Sequence, residues 1–129
     1  MRILLLGDYF IPEGALPPMG EELRALMGRC DEVVVNFEGP IRPGPSARPA
    51  FKTRPNLHQA PAALAHLRDC GVTSVSLANN HAHDFGAEGL EATVRAAEAA
   101  GLKVAGLGYG AGPVPVISAG DDVRIATLA

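Results

Sequence analysis

The sequence predicts an α/β domain: a mainly parallel sheet with flanking helices and an antiparallel hairpin at its C-terminal end. Three observations lead there. Short apolar runs, several rich in branched residues, alternate with segments whose apolar residues recur at helical spacing. Residues 26–38 have a layout of helix end, Arg, nearby Cys, apolar strand and then Asn, and residues 67–80 repeat it. Repeated βα units of this kind take right-handed crossovers and bring their strand ends to one edge of the sheet. Finally, residues 114–118 and 123–128 are apolar or alternating runs around Ala119-Gly120-Asp121-Asp122, the pattern of a hairpin with Asp121 and Asp122 in its turn.

At 129 residues the chain reads as one domain, 1–129, long enough for a real core. A net charge of only −3, with no dense basic block, argues against a nucleic-acid partner. No apolar run approaches the length of a membrane span. Arg2 leads straight into Ile3-Leu4-Leu5-Leu6 and then Gly7-Asp8, too short and too soon acidic for a secretion signal. The expectation is a cytoplasmic protein. Cys30 and Cys70 each follow a helical pattern, where burial as a small hydrophobe is favoured over pairing.

Taken in order, residues 2–7 form a continuous apolar run, the mark of a strand buried on both faces, with Asp8 at its end. Residues 9–20 hold three prolines and two glycines and read as loop. Leu23, Leu26 and Met27 give a short helix over 20–29, and the branched run Val33-Val34-Val35 a strand ending in Asn36. Residues 39–57 contain five prolines together with Arg42, Arg48, Lys52 and Arg54. A loop that long inside a domain is usually functional or mobile. Ala60, Ala63, Leu64 and Leu67 share one face of a helix over 60–70, with Pro61 in its first turn and Gly71 closing it. A strand over 72–77 follows. The alanine-rich stretch 86–100, with Leu90, Val94 and Ala97 inward, is the clearest helix, and 102–105 a further strand. The glycines of 106–112 lack the Lys-Ser/Thr of a nucleotide loop and precede a strand, so a phosphate cradle is rejected.

The chemistry gathers where residues 74–77 give way to Asn79-Asn80-His81-Ala82-His83-Asp84. Five polar donors in six residues exceed what a turn requires. Strand, polar loop, helix is the order that places ligands at the carboxyl end of a sheet. Parallel pairing would bring Asp8, Asn36, Glu38, Asn80 and His81 to that same edge. Carboxylate, amide oxygen and imidazole together suit Mn²⁺, Mg²⁺, Fe or Zn²⁺. Two such ions about 3.5–4 Å apart clamp a phosphoryl centre and acidify the attacking water. Lys52 and Arg54 are either donors to a phosphate or polyglutamate carboxylate or part of a solvated loop. His58 and His66 read as surface or half-buried residues, and His83 as loop surface or a partner to a metal ligand.

Gly7-Asp8, Asn36-Phe37-Glu38-Gly39-Pro40-Ile41 and Ala78-Asn79-Asn80-His81 with Asp84 and Gly86 resemble the N-terminal half of the CapA-type poly-γ-glutamate capsule-synthesis proteins, of the calcineurin-like metallophosphoesterase superfamily. Phe51, Gly71, Gly89-Leu90, Thr93 and Gly106-Leu107-Gly108 fit as well. The resemblance implies one half of an αββα sandwich. It makes Asp8, Glu38 and Asn80 metal ligands, with Asn36 beside Glu38. It makes His81 the general acid or phosphoryl contact, and Asp84 its orienting partner or a further ligand. Phe10 stands where the superfamily usually has a histidine. The family's second half, with its further histidines, would follow Ala129. The expectation is therefore a truncated, metal-dependent phosphoesterase-like hydrolase with mono- or dinuclear metal and a phosphoester or polyglutamate substrate. It would be weak alone, and paired as a homo-oligomer or with a separately encoded C-terminal half. The alternative is a non-catalytic metal-binding or interaction module.

Overall fold

Strand and helix alternate as the repeated units require. The elements are β1 (Ile3–Tyr9), α1 (Glu21–Met27), β2 (Glu32–Phe37), α2 (Pro61–Cys70), β3 (Ser74–Ser76), α3 (Gly86–Ala99) and β4 (Lys103–Ala105). The computed structural model describes residues 1–12, 16–50 and 55–107, and the backbone of two further strands, β5 (Val116–Ala119) and β6 (Arg124–Thr127). The sheet order is β1-β2-β3-β4 and every pair is parallel. β5 and β6 form an antiparallel pair. The expected α/β class with its terminal hairpin is therefore the observed one. Asp121, Asp122 and the glycines from Gly108 to Gly112 lie outside the described residues.

Sequential strand order with right-handed crossovers sends every helix to the same face. The core follows from that. Met27 of α1, Ala63, Leu64 and Leu67 of α2 and Leu90 and Ala97 of α3 form one cluster with Val33, Val35, Phe37 and Val75. Phe37 is fully buried within it, and truncating such a phenylalanine to Ala costs about 3–5 kcal/mol.

The opposite face is different, and it corrects the reading of β1 as a strand buried on both sides. Leu5, Val34, Ser74 and Lys103 lie in one cross-strand row. Leu5 in that row is 73 % exposed and Ile3 37 %. β1 is an edge strand covered by helices on one face only, so its continuous apolar run does not mean burial on both.

At the amino edge, a buried carboxylate fastens three strands. Glu32 accepts hydrogen bonds from Thr73 (2.8 Å) and Ser74 and pairs with Lys103 at 2.9 Å. The helix boundaries also moved. α1 is shorter than the 20–29 pattern suggested, ending where Gly28 donates to the carbonyl of Arg24. β3 is confined to three residues, shorter than the 72–77 pattern suggested, although Thr73 and Leu77 still bond to the neighbouring strands. Cys70 is buried, Cys30 half-buried, and both are free thiols.

Tyr9, the last residue of β1, stacks on Phe37 with ring centroids 6.3 Å apart. Its hydroxyl is buried without a hydrogen-bond partner. Burial pushes the phenol up to about 12, with Cys70 adding electrostatically to the rise. Above a pH of about 10 the unfolded chain loses this proton while the native state keeps it, so stability must fall as pH climbs towards the native value. Below that range Tyr9 contributes no pH dependence. Tyr9→Phe should therefore leave the melting temperature at pH 7 unchanged or raised, and should shift the alkaline unfolding midpoint upward. Thermal melts of both proteins from pH 7 to 12 test this, and an unchanged alkaline midpoint counts against it.

Candidate functional site

The site begins with a slip in register. Ile3, Leu4 and Leu5 pair with Glu32, Val33 and Val34, but Asp8 and Tyr9 pair with Asn36 and Phe37. β1 thus advances three residues while β2 advances two. With regular pairing, Gly7 would oppose Asn36, and Asp8 would oppose Phe37 on the helix-packed face. The extra residue instead sets Asp8 beside Asn36 on the face away from the helices. A bulge re-aims a side chain in just this way, and Gly7 is the residue that tolerates it most easily.

Asn36 Nδ2 donates to Asp8 Oδ1 at 2.7 Å. Asn36 Oδ1 accepts from Asn79 Nδ2 at 3.0 Å, and the same amide reaches the Phe37 carbonyl at 3.0 Å. Asn79 Oδ1 in turn accepts the main-chain N–H of His81 at 3.0 Å. One chain of side-chain amides therefore ties the ends of β1 and β2 to the loop after β3. That loop descends into α3 through successive turns, with Ala82, Asp84 and Gly86 donating to the carbonyls of Asn79, His81 and His83.

The turns bring His81 and Asp84 together. His81 Nδ1 lies 2.8 Å from Asp84 Oδ2, and that oxygen also accepts the Leu57 N–H at 2.5 Å. Asp84 is fully buried and His81 only 9 % exposed. A carboxylate only accepts, so the proton of this hydrogen bond sits on Nδ1 and the ring is held in one orientation. Nε2 is left as the nitrogen for other work.

The walls come from the long loop. Gln59, fully buried, accepts the Ile11 N–H at 3.1 Å and donates to the carbonyls of Tyr9 (3.1 Å) and Glu38 (2.9 Å). Thr93 Oγ1 accepts the Ile41 N–H at 2.7 Å and donates to the Gly89 carbonyl at 2.7 Å. Gly39 has φ +84°, and a Cβ there would come within 2.8 Å of the Leu57 Cβ, so glycine is required on both counts.

Asp8, Asn36, Glu38, Asn80, His81 and Asp84 all lie at the carboxyl edge. Hydrogen bonds join Asp8 to Asn36 and His81 to Asp84, and Asn79 links the two groups. Glu38 is half-buried, and both of its main-chain groups are used: its N–H donates to Tyr9 and its carbonyl accepts from Gln59. Asn80, His83 and Phe10 are exposed. His58 packs edge-on against Phe85 at 5.4 Å, and His66 Nε2 lies 3.7 Å from Cys70 Sγ. Lys52, Arg54 and Phe51 lie outside the described residues. Among the described residues no three His, Cys, Asp or Glu side chains gather as a metal cluster. An ion at this edge would therefore draw on amide oxygens as well as Asp8.

Comparison with known protein families places the chain. Residues 8–129 match the family described as bacterial capsule synthesis protein PGA_cap. The chain belongs to that family. The PGA_cap match starts at Asp8 and spans every residue of the edge just described, from the bulge to the His81–Asp84 pair. A comparison with curated proteins found no match. Two residues of the PGA_cap chain's edge, Asn79 and Gln59, were assigned no role by sequence reasoning. Asn79 stood inside the motif and was legible as a polar donor; Gln59, one buried amide in a proline-rich loop, left no signal.

Asp84→Ala removes the hydrogen bonds that His81 and Leu57 make to one buried carboxylate. The expected cost is about 2–4 kcal/mol, because bonds to charged acceptors are the stronger kind and the half-buried Leu57 N–H loses its acceptor. Amide exchange at Leu57 should accelerate along with the drop in melting temperature. Unchanged protection at Leu57 would show that Asp84 is not the anchor of this segment.

Proposed function

We propose that the carboxyl edge is a metal-dependent phosphoesterase-like centre serving capsule synthesis of the poly-γ-glutamate type. The observation that supports this best is the buried Asp84 carboxylate holding His81 by Nδ1. A fixed imidazole with Nε2 available is the arrangement general acid catalysis needs. His81 would hand a proton from Nε2 to the leaving oxygen of a phosphoester, while Asp84 keeps the ring from turning.

Asp8, Glu38 and Asn80 offer the hard oxygen donors that Mn²⁺, Fe, Zn²⁺ or Mg²⁺ prefer. Asn36, its oxygen engaged by Asn79 and its amide by Asp8, would orient Asp8 rather than bind an ion itself. A divalent ion, or a pair, supplies an acidified water and neutralises phosphoryl charge. Lys52 and Arg54 would meet the anionic groups of the substrate.

A second reading keeps the fold and drops the catalysis: a metal-binding or interaction module. It is favoured by the missing three-residue cluster among the described residues and by the exposed apolar side chains of Ile3 and Leu5 on one face of β1. Such a patch is a common mark of an interface. In this reading the partner is a second copy or a separately encoded second half. No helix among the described residues is long and apolar enough to cross a membrane.

With Phe10 in place of a common histidine, the chain alone should bind Mn²⁺ but turn over a generic phosphodiester and phosphomonoester near background. Losing even the partners of metal ligands can cost about 10–100-fold. Asp8→Ala should weaken Mn²⁺ binding measurably, and His66→Ala should not. Metal analysis and calorimetry on the purified protein test the metal site, and failure to bind any of the four metals selects the interaction module. Robust Mn²⁺-dependent hydrolysis lost in His81→Ala would instead make Asp8, Glu38, Asn80 and His81 a sufficient site.

A further inference from the structure

A cavity of about 420 Å³ is lined by Arg42, Ala47, Pro49, Asn56, His58 and Phe85 among others. Part of its lining comes from segments next to the His81–Asp84 pair. Asn56 and His58 flank Leu57, whose N–H is held by Asp84, and Phe85 follows Asp84 in the chain. The volume is within the range of small-molecule sites.

Among the described residues its one arginine is fixed but not neutralised. Arg42 Nη2 donates to the carbonyls of Pro45 (2.7 Å) and Ala47 (3.2 Å), and the guanidinium carbon stands 6.0 Å from the centre of the Phe85 ring. These contacts orient the group without cancelling its charge. Among the described residues no carboxylate pairs with it, and its Nε–H is buried without a partner. On the same lining, Asn56 Oδ1 is a buried acceptor with no donor. A half-buried cation held only by carbonyls, beside an orphan donor and an orphan acceptor, is costly in an empty protein. Apart from His58, the remaining walls among the described residues are proline, alanine and phenyl, which favour carbon over water.

We propose that this cavity binds the anionic end of a small organic substrate: a monoanion, carboxylate or phosphodiester, whose neighbouring N–H or O–H meets Asn56. Arg42 takes the oxyanion, because guanidinium recognises planar or tetrahedral oxyanions by paired hydrogen bonds. Modest side-chain rotation brings the buried Nε–H and Oδ1 to the ligand. The carbon body lies on Phe85 and Pro49. The proposal rests on the phosphoesterase-like reading only for what happens to the ligand once it is seated. The binding itself is read without turnover and without metal.

The test is an NMR titration of the full chain with three probes: N-acetylglycine, dimethyl phosphate and the neutral N-acetylglycinamide. One anion should shift the His58 and Phe85 ring signals saturably, at least tenfold more tightly than the neutral amide, and the tighter anion identifies the class. Arg42→Gln should weaken it at least tenfold. Should Arg42→Gln loosen the turn it holds, Asn56→Asp serves as the second variant: nearly isosteric, it sets a carboxylate against the anion and should also weaken binding tenfold or more. Equal affinity for the neutral amide, no saturable shift at ~50 mM of either anion, or full binding retained in both variants would overturn the proposal. Anion binding without metal binding would sink the phosphoesterase-like reading and leave this one standing; metal binding without anion binding would do the reverse.

Discussion

The pairing of β1 with β2 changes phase between Leu5 and Asp8, and the chemistry of the edge depends on that change. Successive residues of a strand point to opposite faces, so a slip of one moves every later side chain across the sheet. Before the slip, Leu4 shares a face with Val33 and belongs to the helix-covered core; after it, Tyr9 pairs with Phe37 on that same side. Asp8 is thereby released to the other face. A carboxylate packed among Phe37 and its neighbours would have to be desolvated without a charge partner, at a cost of several kcal/mol. Beside Asn36 it is exposed and hydrogen-bonded instead.

The same constraint explains why the network continues through amides. Asn36 has one donor group turned to Asp8 and one acceptor turned to Asn79, and Asn79 passes the pattern on to the His81 N–H. Amides are suited to such a relay because each carries both donor and acceptor and no charge. Gln59 does the equivalent on the other side, joining the chain after β1 to the chain after β2. Because linked hydrogen bonds specify one geometry, such a relay can hold a side chain more closely than apolar packing alone. His81 and Asp84 are placed by neighbours on three different segments.

Much of the fold was legible because it is written locally. Alternating runs, the alanine-rich α3 and the Pro61 and Gly71 boundaries of α2 are properties of short windows, and they were read correctly. The exposure of β1 was not legible, since Ile3-Leu4-Leu5-Leu6 has the same composition at an edge as at a centre. Position in the sheet is a tertiary fact. At the site, the shared edge for Asp8, Asn36 and Asn80 followed from parallel pairing alone. Which of Asn79 and Asn80 turns inward did not, because it depends on turn geometry two or three residues further on. Gln59 was invisible for a related reason: its partners are Tyr9 and Glu38, 50 and 21 residues away. Arg42 could be counted among the cations of a long loop, but only the fold shows that it lacks an acid among the described residues.

The two edges of the sheet divide the work of stability and chemistry. At the amino edge Glu32 gathers Thr73, Ser74 and Lys103, so the charge of a buried carboxylate is spent on locking β2, β3 and β4 together. At the carboxyl edge Asp84 is equally buried, but its carboxylate serves a loop amide and an imidazole, groups of segments that a ligand could contact. A buried ion pair is weak evidence for added stability, since desolvation offsets most of the attraction. What such a group secures is geometry, and the difference lies in whose geometry. Glu32 fixes strands to strands. Asp84 fixes a nearly buried histidine to the segment that also walls the Arg42 cavity, so a ligand seated there and the His81 ring answer to the same carboxylate.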